Sequence, residues 1–287
     1  MTISLQEQPY MRLQDKVDSK TGREGLSFDR FIGAWQHTDP DPQVLSSVSV
    51  THSGNALSLE CFGAGLIVPP SIPAVPINTT FAAGPASQDG MSFFAEVDFG
   101  FMISRLQGNV NLGLLVLAGF HDFKDGSARS NFFSREFYYS AGAGVDKRLA
   151  RTPVTNSKKG SRNLDASALT GRWQNTNSAS VGVSAIEIRE NGEDLAVRAF
   201  GAGEPGVVDW GEVAGRAYGK DFQSDEAMAF SATFHSDPAG NSGGIRCHLQ
   251  ANIKQGVLVV AYFTEFDDNS GRSNYFAREF YYKTNQE

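Results

Sequence analysis

Side chains two residues apart on a strand share one face, and in the stretch from 132 to 139, F-F-S-R-E-F-Y-Y, that spacing sets Glu136 beside Tyr138. A carboxyl held in an apolar interior resists ionisation, which brings it into the range where it exchanges protons near neutral pH. The pair therefore reads as a candidate general acid/base. His37, His121 and Glu96 extend the set, because imidazole titrates near neutral pH and a nearby carboxylate can orient it. Trp35, Phe94, Phe132 and Trp210 read as the aromatic wall of a ligand pocket, with Arg105 as its cation. The competing reading of the Glu–Tyr pair is a structural hydrogen-bond network.

The chemistry this set can support is bounded by missing signatures. The sequence has no Gly-rich phosphate loop, no G-x-S-x-G elbow, no H-E-x-x-H and no paired C-x-x-C. The expectation is therefore chemistry without a cofactor and without a metal. Cys61 and Cys247 lack metal-type spacing, and two buried free thiols is the simpler reading than a disulfide.

The strand that carries Glu136 occurs twice. Residues 129–139 read R-S-N-F-F-S-R-E-F-Y-Y and residues 272–282 read R-S-N-Y-F-A-R-E-F-Y-Y. G-A-W-Q-H-T at 33–38 returns as G-R-W-Q-N-T at 171–176, a displacement of 138 residues that still holds at the two F-G-A-G words. After an insertion in the second copy the displacement becomes 143, pairing L-Q at 106 with L-Q at 249. A collinear match over such a length is an internal duplication. Positions where the copies disagree are not dictated by the shared fold: His37 corresponds to Asn175, His121 to Thr264, Glu96 to Thr233 and Arg105 to His248. These departures favour the first copy as a reaction chamber.

Short apolar and aromatic runs separated by turn words such as E-N-G-E-D and D-D-N-S-G, with little helical period, predict seven or eight antiparallel strands per copy. The expected division is a flexible N-terminal arm at 1–28, a first barrel at 29–140, a polar linker at 141–167 and a second barrel at 168–287. The loop after the first F-G-A-G, L-I-V-P-P-S-I-P-A-V-P-I, reads as a stiff apolar flap, since proline is excluded from central strands. Its counterpart contains D-W-G-E-V, read as a loop around Trp210.

A Gly-x-Trp opening the first strand, at 33–35 and 171–173, with an Arg on the last, resembles the calycin pattern of lipocalins, fatty-acid-binding proteins and avidins. The resemblance implies an all-β fold of two tandem antiparallel lipocalin-like barrels. It also implies that Arg135 and Arg278 pack over Trp35 and Trp173 to close one barrel end. The opening L-T-G-R-W-Q-N at 169–175 resembles that of avidin, but the later tryptophan motifs of a biotin site are missing. In scale the chain is similar to two-barrel ring-closing enzymes of bacterial natural-product pathways, the scytonemin-pathway cyclase among them.

A net charge of -7 with interspersed signs lacks the basic face that nucleic acid requires. No apolar run approaches the roughly 20 residues of a membrane-spanning helix, and the first residues have no signal-peptide core. The expectations are a cytoplasmic protein, an apolar or aromatic small-molecule substrate, no nucleic-acid or membrane partner, and compatibility with a homodimer. The 21 Phe, 8 Tyr and 3 Trp suit a cavity for such a substrate. The leading functional expectation is a cofactor-independent cyclase or isomerase of secondary metabolism. A non-catalytic carrier or sensor of a hydrophobic ligand is the alternative.

Overall fold

Sixteen strands carry the chain, in a computed structural model that describes residues 10–16, 26–53, 56–65, 67–70, 72–142, 163–203, 206–236 and 244–284. The first eight are β1 (Gly33–His37), β2 (Leu45–Ser53), β3 (Ala56–Gly63), β4 (Val75–Ala82), β5 (Gly90–Asp98), β6 (Met102–Asn111), β7 (Leu114–Phe123) and β8 (Phe132–Ser140). The second eight are β9 (Gly171–Asn175), β10 (Val183–Asn191), β11 (Asp194–Ala202), β12 (Val207–Gly219), β13 (Ala227–His235), β14 (Ile245–Lys254), β15 (Val257–Phe266) and β16 (Tyr275–Lys283). Most of the expected linker, residues 143–162, lies outside the described residues. Among the described residues no helix is long and apolar enough to cross a membrane.

Neighbouring strands pair antiparallel, and β1 also pairs with β8 while β9 pairs with β16. Each run of eight thus folds back on its own first strand, giving a barrel-like arrangement that removes most free edges. Where two separate barrels were expected, the pairings join into a single sixteen-stranded sheet. The joints are single parallel pairs, Gly219 with Phe132 and Tyr275 with Ala82.

Alternation decides what each strand face meets. Inward residues of the first half, among them Val48, Leu59, Phe93, Ala95, Leu106, Leu117 and Tyr138, form one buried cluster. Val197, Phe230, Leu249, Val260, Tyr262 and Tyr281 belong to the cluster of the second half. Outward residues of β7 and β8 meet the other half: Phe120 packs edge-on to Tyr218 at 4.9 Å, and at the matching place Phe263 packs on Phe81 at 5.1 Å. The interface is self-complementary, as between two copies related by a twofold axis.

The repeated R-S-N word makes this clasp. Arg129 and Arg272 each ion-pair with the turn aspartate four residues earlier, Asp125 and Asp268, and lie 4.0 Å over Phe123 and Phe266. Ser130 Oγ donates to Ser224 O at 2.5 Å, and Ser273 Oγ to Ser87 O at 2.9 Å, each across to the opposite half. Asn131 and Asn274 accept the backbone N–H of Phe123 and Phe266 at 3.0 Å.

Arg135 and Arg278 do not close over Trp35 and Trp173. Tyr138 and Glu136 take the inward face of β8, so strand alternation turns Arg135 outward, and its guanidinium lies over Phe133 at 5.4 Å. Arg278 does the same over Phe276 at 5.3 Å. The indoles are held from the preceding turn instead: Trp35 Nε1 donates to Phe31 O and Trp173 Nε1 to Leu169 O, both at 2.8 Å.

The ends of the two halves are covered differently. Gly63 and Gly201 hold the same place in the two F-G-A-G words, and at each a Cβ would stand 2.1 Å from a carbonyl laid across it. In the first half that carbonyl belongs to Pro69 of the Pro-rich flap, whose Val68 and Ile72 are buried in the first core. In the second it belongs to Met11, inside the stretch expected to be a flexible arm. Residues 10–16 insert there: Arg12 and Asp15 are fully buried, Arg12 Nη2 donates to Thr264 Oγ1, and Tyr275 donates to Asp15. Arg12 also lies 4.7 Å over Tyr275. Arg12 Nε stands 3.7 Å from Asp15 Oδ2, and removing one partner of a buried ion pair leaves an uncompensated charge. Arg12→Ala is expected to destabilise the fold by on the order of 3 kcal/mol, read as a lower urea midpoint. A midpoint equal to that of the parent protein rules out a structural arm.

Candidate functional site

At the flap end of the first half, β1 and β8 bring three of the expected site residues together. His37 pairs in register with Tyr138, and Glu136 shares Tyr138's inward face. Tyr138 Oη donates to Glu136 Oε2 at 2.8 Å and stands 3.3 Å from Leu45 O. The His37 ring meets the Tyr138 ring edge-on at 5.0 Å, and its Nε2 lies 4.0 Å from Glu136 Oε2. His37 Nδ1 accepts the Asp39 N–H at 2.9 Å and also stands 3.2 Å from Asp39 O.

Burial dominates the electrostatics. The Glu136 side chain is 14% exposed, and desolvation raises its pKa to about 7 against the lowering effect of the Tyr138 hydrogen bond, with nearby Asp39 adding to the rise. Burial likewise holds the Tyr138 phenol well above its usual range. The second half shows what has changed. There Glu279 accepts from Tyr281 Oη at 3.0 Å, from Val183 N at 3.4 Å and from Ser180 Oγ. The displacement of 138 aligns Ser180 with Pro42, which has no hydroxyl to offer, and Gly182 with Val44. A Cβ at Gly182 would stand 2.9 Å from the Glu279 carboxylate, and the first copy has a valine at that place. Asn175, in the place of His37, donates to Tyr281 Oη at 3.3 Å.

His121 lies on the inward face of β7, farther along the interior. Its Nδ1 is 2.7 Å from Ser104 Oγ, its Nε2 is 2.9 Å from Ser134 Oγ, and its ring stacks on Phe132 at 4.2 Å. Desolvation pulls its pKa down to about 3, so the ring stays neutral at physiological pH and cannot act there as a charged acid. Trp35 is buried in the same core.

Glu96, Phe94 and Arg105 are not brought to this site. They occupy the outward face of β5 and β6, because Ala95 and Leu106 take the inward one. Arg105 Nε stands 3.3 Å from Glu96, and its Nη1 pairs with Asp122, which Arg216 of the second half also reaches at 2.9 Å. Phe94 packs with Phe81, Phe263 and Phe276 between the halves. D-W-G-E-V is strand rather than loop: it lies within β12, kinked at Gly211 with φ 77°, and Asp209 and Glu212 pair with Arg198 and Arg189. Trp210 turns inward and donates to Met11 O at 2.9 Å. Among the described residues no three His, Cys, Asp or Glu side chains form a metal-binding group, and Cys61 and Cys247 are buried free thiols.

Ser104, Ser134 and Pro42 escaped the sequence reading. The signal was there: Ser104 and Ser134 depart from Cys247 and Ala277 together with His121 from Thr264. No protein-family model matches the chain, and a comparison with curated proteins finds no match.

Pro42→Ser is expected to return a donor and lower the Glu136 midpoint from about 7 toward the ordinary carboxyl range. The measurement is the protonated-carboxyl band in infrared difference spectra against Glu136→Gln, and an unmoved midpoint removes the role assigned to Pro42. Because the folded-state pKa is raised from 4.5 to about 7, the contribution of Glu136 to stability is complete below 4.5 and lost as pH rises through about 7. Relative to Glu136→Gln, the parent protein is expected to lose on the order of 2–3 kcal/mol of unfolding free energy across that window. A constant difference between the two proteins contradicts it.

Proposed function

We propose that the first half is an acid/base chamber for an apolar small molecule, acting without a cofactor as an isomerase or cyclase. The observation that carries this reading is Glu136: a buried carboxyl, its pKa raised to about 7, that accepts from Tyr138, where its copy Glu279 accepts from three donors. Near pH 7 such a group is populated in both states, so one side chain can accept a proton from carbon and return it elsewhere. The His37 ring and the Tyr138 phenol flank it, and hydrogen-bond donors in those places stabilise negative charge developing on a substrate oxygen. Val68 and Ile72 of the flap are buried in the same core and add apolar surface to that half. Ring closure gains further from an enclosure that holds a flexible substrate folded.

The finer reading, two calycin-type barrels with a ring-closing role in bacterial secondary metabolism, is supported by the Gly-x-Trp openings and by strands that return to their own first member. It loses the Arg–Trp closure. A carrier without turnover is the second reading, favoured by the recurrence of the Glu–Tyr pair in a half that has no histidine at the site.

Deuterium exchange at the acidic carbon of 2-tetralone, a bicyclic aromatic ketone, separates the two. The parent protein is expected to accelerate exchange in deuterated buffer, followed by proton NMR, with Glu136→Gln reducing the rate by about 10²-fold or more. Binding of the ketone without accelerated exchange favours the carrier, and acceleration that survives Glu136→Gln removes the catalytic assignment.

A further inference from the structure

Between the two halves Arg135 of β8 and Arg278 of β16 face one another with no carboxylate beside them. Their neighbours in register are small, Ala118 and Ala261, and the space this leaves is a cavity of about 10 Å³. That is room for one water-sized species. Gln107, Asn109, Gln250 and Asn252 complete its polar wall, and no Asp or Glu lines it. Arg278 Nη2 donates to Asn109 Oδ1 at 2.9 Å. The buried Nε of both arginines makes no hydrogen bond, nor do the side-chain oxygens of Gln107, Gln250 and Asn252, residues that are 4%, 3% and 5% exposed.

Each part of this arrangement is expensive alone. Two guanidinium groups in a mostly apolar interface repel at an effective dielectric well below that of water. Burial, and then the neighbouring Arg278, pull the Arg135 pKa down to about 10. Phe133 and Phe276 beneath the guanidinium planes supply only the modest attraction of an aromatic face. Unsatisfied buried polar atoms cost about 1–3 kcal/mol apiece. The same arrangement occurs from both sides, since Arg135, Gln107 and Asn109 correspond by the displacement of 143 to Arg278, Gln250 and Asn252.

We propose that a monatomic anion, chloride, occupies this cavity and bridges Arg135 and Arg278 across the two halves. Charge calls for an anion, and room for about one water-sized species favours a single-atom ion over phosphate, sulfate or carboxylate. The amides fit as well, because nitrogen and oxygen of a Gln side chain exchange places on a half-turn, bringing N–H donors inward at Gln107 and Gln250. Bound only when the halves are assembled, the ion stabilises the folded chain by mass action. The site is separate from Glu136 and stands whether or not the first half is catalytic.

Two measurements on the unaltered protein test it. Crystals soaked in bromide are expected to show an anomalous peak between Arg135 and Arg278, in contact with both. The thermal midpoint is expected to rise and saturate as chloride replaces gluconate at constant ionic strength, and Arg278→Gln is expected to flatten that rise. No bromide peak between the arginines overturns the proposal. So does a peak accompanied by identical midpoints in chloride and gluconate, the mark of an adventitious ion only.

Discussion

A strand that closes a ring has two faces and no free edge, and β8 and β16 put both faces to use. Their backbones are committed on either side, to β7 and β1 or to β15 and β9. Every second side chain is therefore delivered inward and every other one outward, without freedom to exchange. Inward, this brings Glu136 and Tyr138 to the end of the first interior. Outward, it brings Phe133 and Arg135 to the seam between halves. One register slip on either strand would exchange the buried carboxyl for the arginine, and neither environment could satisfy the newcomer.

The duplication then acts as an internal control. Both halves build the same Glu–Tyr pair, so the pair belongs to the scaffold. What distinguishes the halves is the surroundings. Glu279 is supplied by a serine hydroxyl, a backbone N–H and a phenol, whereas Glu136 accepts from the phenol of Tyr138, and the first copy has a proline at the serine's place and a valine at the glycine's. The interiors diverge in the same sense. In the second, Tyr262 stands at the position of Gly119, and Arg12 enters from outside the repeat. In the first, the space above Gly119 is taken by the His121 ring, since a Cβ there would lie 2.5 Å from Nε2. The second half is plugged by a buried charge network, whereas the first holds the His121 ring and the buried Glu136 carboxyl.

Much of this was legible in the residues. The duplication, the all-β class, the strand spacing and the shared face of Glu136 and Tyr138 follow from period-two alternation and repeat displacement, both carried by the order of residues along the chain. The apolar flap was legible in part, because proline chemistry is local, but its last three residues open β4, with Pro76 paired to Ser58. Arg12 was not, since a seven-residue plug has no counterpart in the repeat, and its charge argued for solvent until Asp15, Tyr275 and Thr264 surrounded it. Glu96 and Arg105 were misplaced because alternation says which residues share a face and not which face is the interior.

The sequence by itself determined that two copies of one β-unit exist, where they differ, and which side chains travel together on a face. Only the tertiary structure decided which face turns inward, that the arginine of the last strand meets its counterpart across a seam instead of the tryptophan, and that one copy of the repeated carboxyl has fewer hydrogen-bond donors than the other. The physical reason is common to all three. Pattern is carried by neighbours along the chain, whereas desolvation, charge pairing and the supply of hydrogen-bond donors are set by neighbours in space, a hundred or more residues away.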